Sequence, residues 1–269
     1  MPRMTKPPWQ RRIERARALM EQQAFAAEIL GFFVHLSGFQ ERLHDRLSAI
    51  SSELRNSDPR VGELSGLELA ELTSSLESFL SVVERHGPGK LGELSREIRA
   101  REASLWPELL AEAWKAPAPA DAQTILLQAF LQPYAELLRS QAKLKPGQHK
   151  YAVCPFCARK PAWGVLRQMG EGAARSMVCA FCFAEWDFRR LVCPGCGEEN
   201  DTKLPVFTAA EFDYIRVECC EICKTYVKTV DLTKNGRAEP VVDELASSPL
   251  DLWAHEHGYA KLHKNLLGL

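Results

Sequence analysis

Eight of the nine cysteines in this sequence stand as four Cys-x-x-Cys pairs: Cys154 with Cys157, Cys179 with Cys182, Cys193 with Cys196, and Cys220 with Cys223. The first 153 residues hold none, and all nine fall within the next 70. A disulfide framework belongs to small secreted chains. The start of this chain does not read as a signal peptide, because Arg11-Arg12 is followed at once by Glu14, Arg15 and Arg17 where an apolar run should begin. The most apolar stretch, Ala24 to Leu36, is interrupted by Glu28 and too short to span a bilayer. The expectation is a cytoplasmic protein with reduced thiols and no membrane insertion. In that compartment clustered cysteines bind metal or carry redox chemistry.

Two thiolates on one tight turn hold an ion from one side, so a tetrahedral site needs two such turns face to face. Between the pairs lie 21, 10 and 23 residues. The first and last intervals fit the loop of a metal ribbon, and the short middle one fits a linker. This pairs the first knuckle with the second and the third with the fourth, with an interleaved arrangement left open. The expected ligands are Cys154, Cys157, Cys179 and Cys182 for one ion, and Cys193, Cys196, Cys220 and Cys223 for the other. A single Cys-x-x-Cys could be a thioredoxin-like dithiol, but no βαβ pattern surrounds any of the four. Cys219 is left over, because only Cys220 restores the two-residue spacing to Cys223; it reads either as a redox-sensitive thiol or as a buried strand cysteine. His255, His257 and His263 are not needed as ligands and read as polar surface. Tetrahedral thiolate sites suit zinc and iron alike. Zinc is the commoner ion in ribbons, whereas Pro194-Gly195-Cys196-Gly197 has the look of a rubredoxin-type knuckle and favours iron.

The cysteine-free part reads as helices, with apolar residues recurring at three and four from Ile13 to Ile50. Asn56 to Pro59 is a breaker. Ser65 caps a helix ended by Gly87-Pro88-Gly89, and Pro107 suits a first turn. Asp121 caps another helix, which Pro133 should kink or divide. Lys145-Pro146-Gly147 marks a domain boundary. Beyond it come short β-type segments, such as 164–166, 212–217 and 225–230. Pro249 to Leu267 reads as a final short helix and tail. The expected fold is α+β, with a helical domain over 1–146 and a metal-binding module over 147–269. That module would hold two rubredoxin- or zinc-ribbon-like β units, about 150–191 and 192–235 by the knuckle spacing, and a C-terminal helical tail.

Residues 150–269 hold 15 Lys/Arg against 16 Asp/Glu. Four thiolates leave about −2 on each divalent ion, so the loaded module is acidic and poorly suited to a phosphate backbone. Arg159-Lys160 and Arg189-Arg190 abut knuckles and read as balance for thiolate charge. The sequence has no Gly-rich phosphate loop, no Gly-x-Ser-x-Gly and no His-Glu-x-x-His. Ions closed off by four thiolates offer no position to a substrate. A non-enzymatic, protein-binding role is what remains, with a nucleic-acid-binding zinc ribbon or a dithiol oxidoreductase as the alternatives.

The residues between the knuckles carry a resemblance. The run from Cys179 through Glu185, Trp186 and Arg190 to Cys193 and Gly197 resembles the FdhE family of formate dehydrogenase accessory proteins. So do Cys220 to Val230, Pro240 to Ala246, and Leu250 to Tyr259 followed by Asn265. The resemblance implies a rubredoxin-like protein that binds two iron ions through the eight cysteines. It also implies a maturation factor for a molybdenum or tungsten formate dehydrogenase, in contact with that enzyme's catalytic subunit before export. Glu185, Trp186, Arg190, Tyr226 and Lys228 match the family pattern; the aromatics are expected to pack on the knuckles and Arg190 to lie near thiolate charge. Two features depart from it. The first knuckle ends in Ala158 where a glycine is common, and the chain starts close to its first helix, without a longer leader. Nothing in the sequence fixes the client surface or a surface for self-association.

Overall fold

The computed structural model describes residues 6–50, 62–119, 121–142 and 152–268. The breaker at Asn56–Pro59 and the boundary at Lys145–Gly147 lie outside the described residues. Among these the fold is α+β, helices first and a sheet with two cysteine clusters after them.

Among the described residues six α-helices form the first part: α1 (Pro8–Gln22), α2 (Ala27–Ala49), α3 (Gly66–His86), α4 (Gly89–Arg99), α5 (Trp106–Lys115) and α6 (Ala122–Gln141). The starts of α3 and α6 follow from their caps. Ser65 accepts from the Glu68 N–H at 3.3 Å while the Glu68 carboxylate accepts from the Ser65 N–H at 2.6 Å, a reciprocal capping box. Asp121 Oδ1 accepts from the Thr124 N–H at 2.7 Å. Helix α6 is buried without a break from Ile125 to Leu138 and packs on α2 and α5, so it forms the spine of this part.

Of the two outcomes expected from Pro133, a kink or a division, division does not occur, and α6 runs on through it. A proline at 133 cannot donate to the carbonyl of Ala129, one turn back. Gln40 of α2 supplies that bond instead, its Nε2 donating to the Ala129 carbonyl at 2.7 Å. The buried acceptor is thus satisfied from a neighbouring helix.

The strands are β1 (Pro161–Met169), β2 (Gly172–Cys179), β3 (Glu185–Asp187), β4 (Val206–Phe207), β5 (Ile215–Cys219), β6 (Thr225–Asp231) and β7 (Ala260–Lys261). They form one sheet in the order β3-β2-β1-β6-β5-β4, with β7 paired to β6. Within each cysteine-rich unit the neighbours are antiparallel. Across the units β1 pairs parallel to β6, Trp163 opposite Lys228 and Val165 opposite Val230. The sheet therefore runs without interruption through both units.

One face of the sheet carries Trp163, Val165 and Val178, packed on Leu19, Leu30 and Phe33 of α1 and α2 and on Val242 and Leu245 of α7 (Pro240–Ala246). Further along, the same face carries Ile215, Val217 and Val230 beneath Leu250 and Ala254 of α8 (Ser248–Glu256). The C-terminal helical segment is thus a pair of short helices, each with a proline in its first turn. No helix among the described residues is long and apolar enough to cross a membrane.

Candidate metal centres

The four knuckles have the same backbone. In each, the residue after the second cysteine donates its N–H to the carbonyl of the first: Ala158 to Cys154 at 2.9 Å, Phe183 to Cys179 at 3.1 Å, Gly197 to Cys193 at 2.9 Å and Lys224 to Cys220 at 2.9 Å. The first cysteine in turn donates to the carbonyl one residue further on, as Cys154 does to Arg159 at 2.7 Å. Closing this turn puts that following residue in the left-handed region, with φ of 59° at Ala158, 52° at Phe183, 82° at Gly197 and 54° at Lys224. The turn aims backbone N–H groups at sulfur: Phe156 donates to Cys154 Sγ at 3.4 Å and Gly195 to Cys193 Sγ at 3.3 Å.

The eight thiols gather into two groups of four. Cys154, Cys157, Cys179 and Cys182 form one, Cys193, Cys196, Cys220 and Cys223 the other, and within each group the sulfurs lie within 4.8 Å of one another. The arrangement is the sequential one, first knuckle against second and third against fourth. The closest S···S separations are 3.4 Å for Cys157–Cys179 and 3.5 Å for Cys154–Cys182 in the first group. In the second they are 3.6 Å for Cys193–Cys223 and 3.7 Å for Cys196–Cys220. A tetrahedron built on metal–sulfur bonds of roughly 2.3 Å has edges of about 3.8 Å. Donor type, donor number and spacing all fit two tetrahedral ions.

The two centres differ in their surroundings. The first is set into the main core: Cys154, Cys179 and Cys182 are buried with Trp186, Phe181 and Trp114. Hydrogen bonds from its three partner thiols draw the Cys157 thiol well down, and the Arg159 guanidinium adds to the effect; burial pushes Cys179 and Cys182 up. The second lies at the surface, with Cys196 exposed and Cys223 half-buried. Burial raises Cys193 to about 12. Burial works the same way on Cys223, but the Thr225 hydroxyl, 3.0 Å from its Sγ, and the Thr225 N–H bring it down to about 7. Gly195 stands so close to this centre that a Cβ there would lie 2.9 Å from Thr225 Oγ1 and 3.2 Å from Cys223 Sγ.

The remaining candidates fall into place around these groups. Cys219 is a buried strand residue on β5 outside both clusters, its thiol raised to about 12 by burial and by Glu221 and Glu218. His255 and His257 are exposed, whereas His263, expected at the surface, is buried beside Phe181 and Pro119. Its imidazole accordingly sits low, because burial disfavours the charged ring. Arg159 has a second task besides thiolate charge: it stacks 3.8 Å from the Phe181 ring centroid and donates to the carbonyls of Trp114 and Ala116 at 2.6 and 2.9 Å. That places a cation at the C-terminal end of α5, where helix carbonyls favour one, and ties the first centre to the helices.

Three sets of buried partners were not read from the sequence, although Tyr226 and Lys228 themselves were singled out there. Arg175 of β2 is buried, pairs with Glu218 of β5, and donates to the carbonyls of Arg189 and Val192 at 3.1 and 3.2 Å. It thereby fixes the linker between the second and third knuckles. Arg12 of α1 lies between the rings of Trp9 and Phe183, 4.5 Å from each, and pairs with Glu136 at 2.9 Å. Lys228 is fully buried and donates to Asp251 at 2.6 Å and to Ser247 Oγ at 3.1 Å. Tyr226 bonds Asp251 at 2.7 Å, so both residues serve the contact between sheet and C-terminal helices. Burial would raise the Glu244 carboxyl beside them, but Lys228 and Lys261 hold it down to about 2. None of these partnerships has a spacing signature, since each joins elements distant in sequence.

The FdhE central domain matches residues 153–190, and the FdhE C-terminal domain matches residues 191–267. One cysteine cluster falls within each match. The chain belongs to the FdhE family. The FdhE homologue of Aquifex aeolicus is 27% identical over 265 residues, covering 95% of this chain and 94% of that protein. The FdhE homologue of Pectobacterium carotovorum is 33% identical over 135 residues, which is 50% of this chain and 43% of that one. The crystal structure of the FdhE protein from Pseudomonas aeruginosa shares the fold, with a TM-score of 0.63 at 23% identity over 96% of this chain and 95% of that one.

Proposed function

We propose that this FdhE-family chain is an accessory protein for maturation of a molybdenum or tungsten formate dehydrogenase. It binds that enzyme's catalytic subunit in the cytoplasm before export and performs no chemistry of its own. The observation that carries this reading is the placement of the two FdhE domain matches, one on each four-cysteine cluster. Cys154, Cys157, Cys179 and Cys182 would hold one ion and Cys193, Cys196, Cys220 and Cys223 the other. The rubredoxin-like third knuckle favours iron over zinc at these sites. Bound in this way, the ions cross-link the knuckles and, if iron, exchange single electrons. With all four positions of each ion taken by thiolate, neither centre has room for a substrate.

The residues around the centres support a scaffold. Arg159 and Phe181 anchor the first to α5, and Arg175 holds the linker to the second. The test is co-purification of the tagged full chain with the formate dehydrogenase catalytic subunit, together with metal analysis of anaerobically purified protein. A stable complex and two irons per chain are the expected results. No association with that subunit, with both centres loaded, would overturn the maturation reading; two zincs would overturn the redox part alone.

A further inference from the structure

Strand β4 ends the sheet, so among the described residues its outer side has no strand beside it. It pairs with β5 through Val206 opposite Glu218 and Phe207 opposite Val217. Cys219 of β5 donates to the Pro205 carbonyl at 2.9 Å, which turns Pro205 toward the sheet. Because an antiparallel ladder alternates, the N–H and C=O of Val206 then point off the edge. By that alternation neither enters the β4–β5 ladder, and neither takes part in a turn or loop hydrogen bond among the described residues. Both β4 side chains are open to solvent, Val206 at 44% and Phe207 at 36%.

Each side chain of this edge borders its own cleft, one on either face of the sheet. On the Val206 side lies a cleft of about 300 Å³ with Arg175, Arg190, Arg216 and Glu218 in its walls. Glu218 is taken by Arg175. Arg190 and Arg216 have no carboxylate partner among the described residues, and the Nε of buried Arg175 has no acceptor. On the Phe207 side lies an apolar cleft of about 700 Å³, lined by Phe25, Phe212, Leu250 and Trp253. Phe25 is 59% exposed there, and the Phe207 and Trp253 rings lie 4.7 Å apart.

A free strand edge between a cationic cleft and an aromatic cleft has the layout of strand addition, in which the main chain supplies binding and alternate side chains supply selectivity. We propose that the β4 edge docks an extended acidic peptide segment of a partner protein, which adds as a further strand with carboxylates over Arg190 and Arg216 and apolar side chains in the aromatic cleft. Charge decides the occupant. Arg190 and Arg216 border the first cleft without a carboxylate partner among the described residues, so burying an apolar or basic side chain there would leave both guanidiniums short of acceptors. The reach is adequate: an added strand lies two strand spacings, about 10 Å, from β5, which an extended arginine and a glutamate span together. The two-residue β4 limits the number of ladder bonds, which leaves discrimination to the clefts. This inference goes beyond the maturation reading and does not depend on it, because it concerns any partner with such a segment.

The test uses the metal-loaded full chain and an end-labelled synthetic octapeptide alternating Glu with Phe and Leu, followed by fluorescence anisotropy. Its counterpart carries Lys for Glu. The acidic peptide is expected to bind at least tenfold tighter. Arg216→Glu should weaken the acidic peptide at least tenfold and strengthen the lysine peptide, a reversal that a misfolded variant cannot produce. Val206→Pro removes the outward N–H while keeping a small apolar side chain at the cleft, a change edge strands tolerate, and should abolish binding while metal content stays at the wild-type level. Equal binding of the two peptides, or acidic-peptide binding untouched by both substitutions, would overturn the proposal. So would displacement of the peptide by acetate at equal concentration, which marks a small-carboxylate site, or a stable dimer that the peptide fails to dissociate, which marks β4 as a contact between two copies.

Discussion

The residue after the second cysteine of each knuckle occupies the left-handed region, yet only one of the four, Gly197, is a glycine. For an L-residue this conformation costs roughly 1–2 kcal/mol. At Ala158, Phe183 and Lys224 the cost is carried by the knuckle as a whole, through its two closing hydrogen bonds and the sulfur cluster they serve. Phe183 gets something back, because its ring covers one face of Arg12. Ala158 and Lys224 offer a cleaner comparison. Ala158→Gly should raise stability or leave it unchanged, since relief of the left-handed cost outweighs or cancels the roughly 0.5–1 kcal/mol of chain entropy that a glycine adds. Gly197→Ala should lose about 1 kcal/mol for the converse reason. Urea midpoints at saturating metal read both, and equal losses from the two changes would show that something other than this turn limits the knuckle. The alanine at 158 therefore leaves the geometry of the first knuckle like that of the other three.

At the scale of the element, Gln40 and Pro133 pose a matched problem. Without Gln40 the Ala129 carbonyl would be buried with no donor, an omission worth about 1–3 kcal/mol. Gln40→Leu should cost that much in the wild-type chain. It should cost appreciably less beside Pro133→Ala, which restores an N–H to the turn. A double-mutant cycle with a coupling near zero would mean that Gln40 matters for packing alone. This pair also marks what a sequence discloses. The knuckles and the caps at Ser65 and Asp121 could be read directly, because each is a spacing rule within a few residues. The fate of Pro133 could not, because its remedy sits on another helix, 89 residues from the carbonyl it satisfies. The parallel pairing of β1 with β6 was hidden for the same reason, as was the burial of His263 against the first centre. Nothing near Arg175 or Lys228 along the chain names their partners, and only the assembled sheet gives them carbonyls and carboxylates to bind. Local chemistry is legible along a chain, whereas satisfaction of buried polar groups depends on who arrives from elsewhere.

At the scale of the molecule, the two centres share ligands, knuckle geometry and a sheet, but only one is enclosed. The first has three of its four cysteines buried and a cation–aromatic anchor to α5. To release its ion, the core formed by Trp114, Phe181 and Trp186 has to open. The second presents Cys196 to solvent and half-exposes Cys223, so a competing ligand reaches it without any such opening. Local openings of this kind need far less free energy than unfolding the core. Metal release under a chelator such as EDTA, followed with a thiol reagent in a Cys219→Ala chain so that only the eight clustered thiols report, should therefore be biphasic. Four thiols, those of Cys193, Cys196, Cys220 and Cys223, should react first with the helical circular dichroism unchanged. The other four should follow only as helical signal is lost, because metal binding in such modules is folding energy. Filling the arginine cleft with the acidic peptide of the β4 edge should leave the first phase unchanged, since buried Cys193 and Cys220 border that cleft and Cys196 and Cys223, where the competing ligand enters, do not. A single phase of eight thiols would mean that the sheet joining the centres opens as one unit, and that the parallel contact of β1 with β6 couples them more tightly than their different exposure separates them.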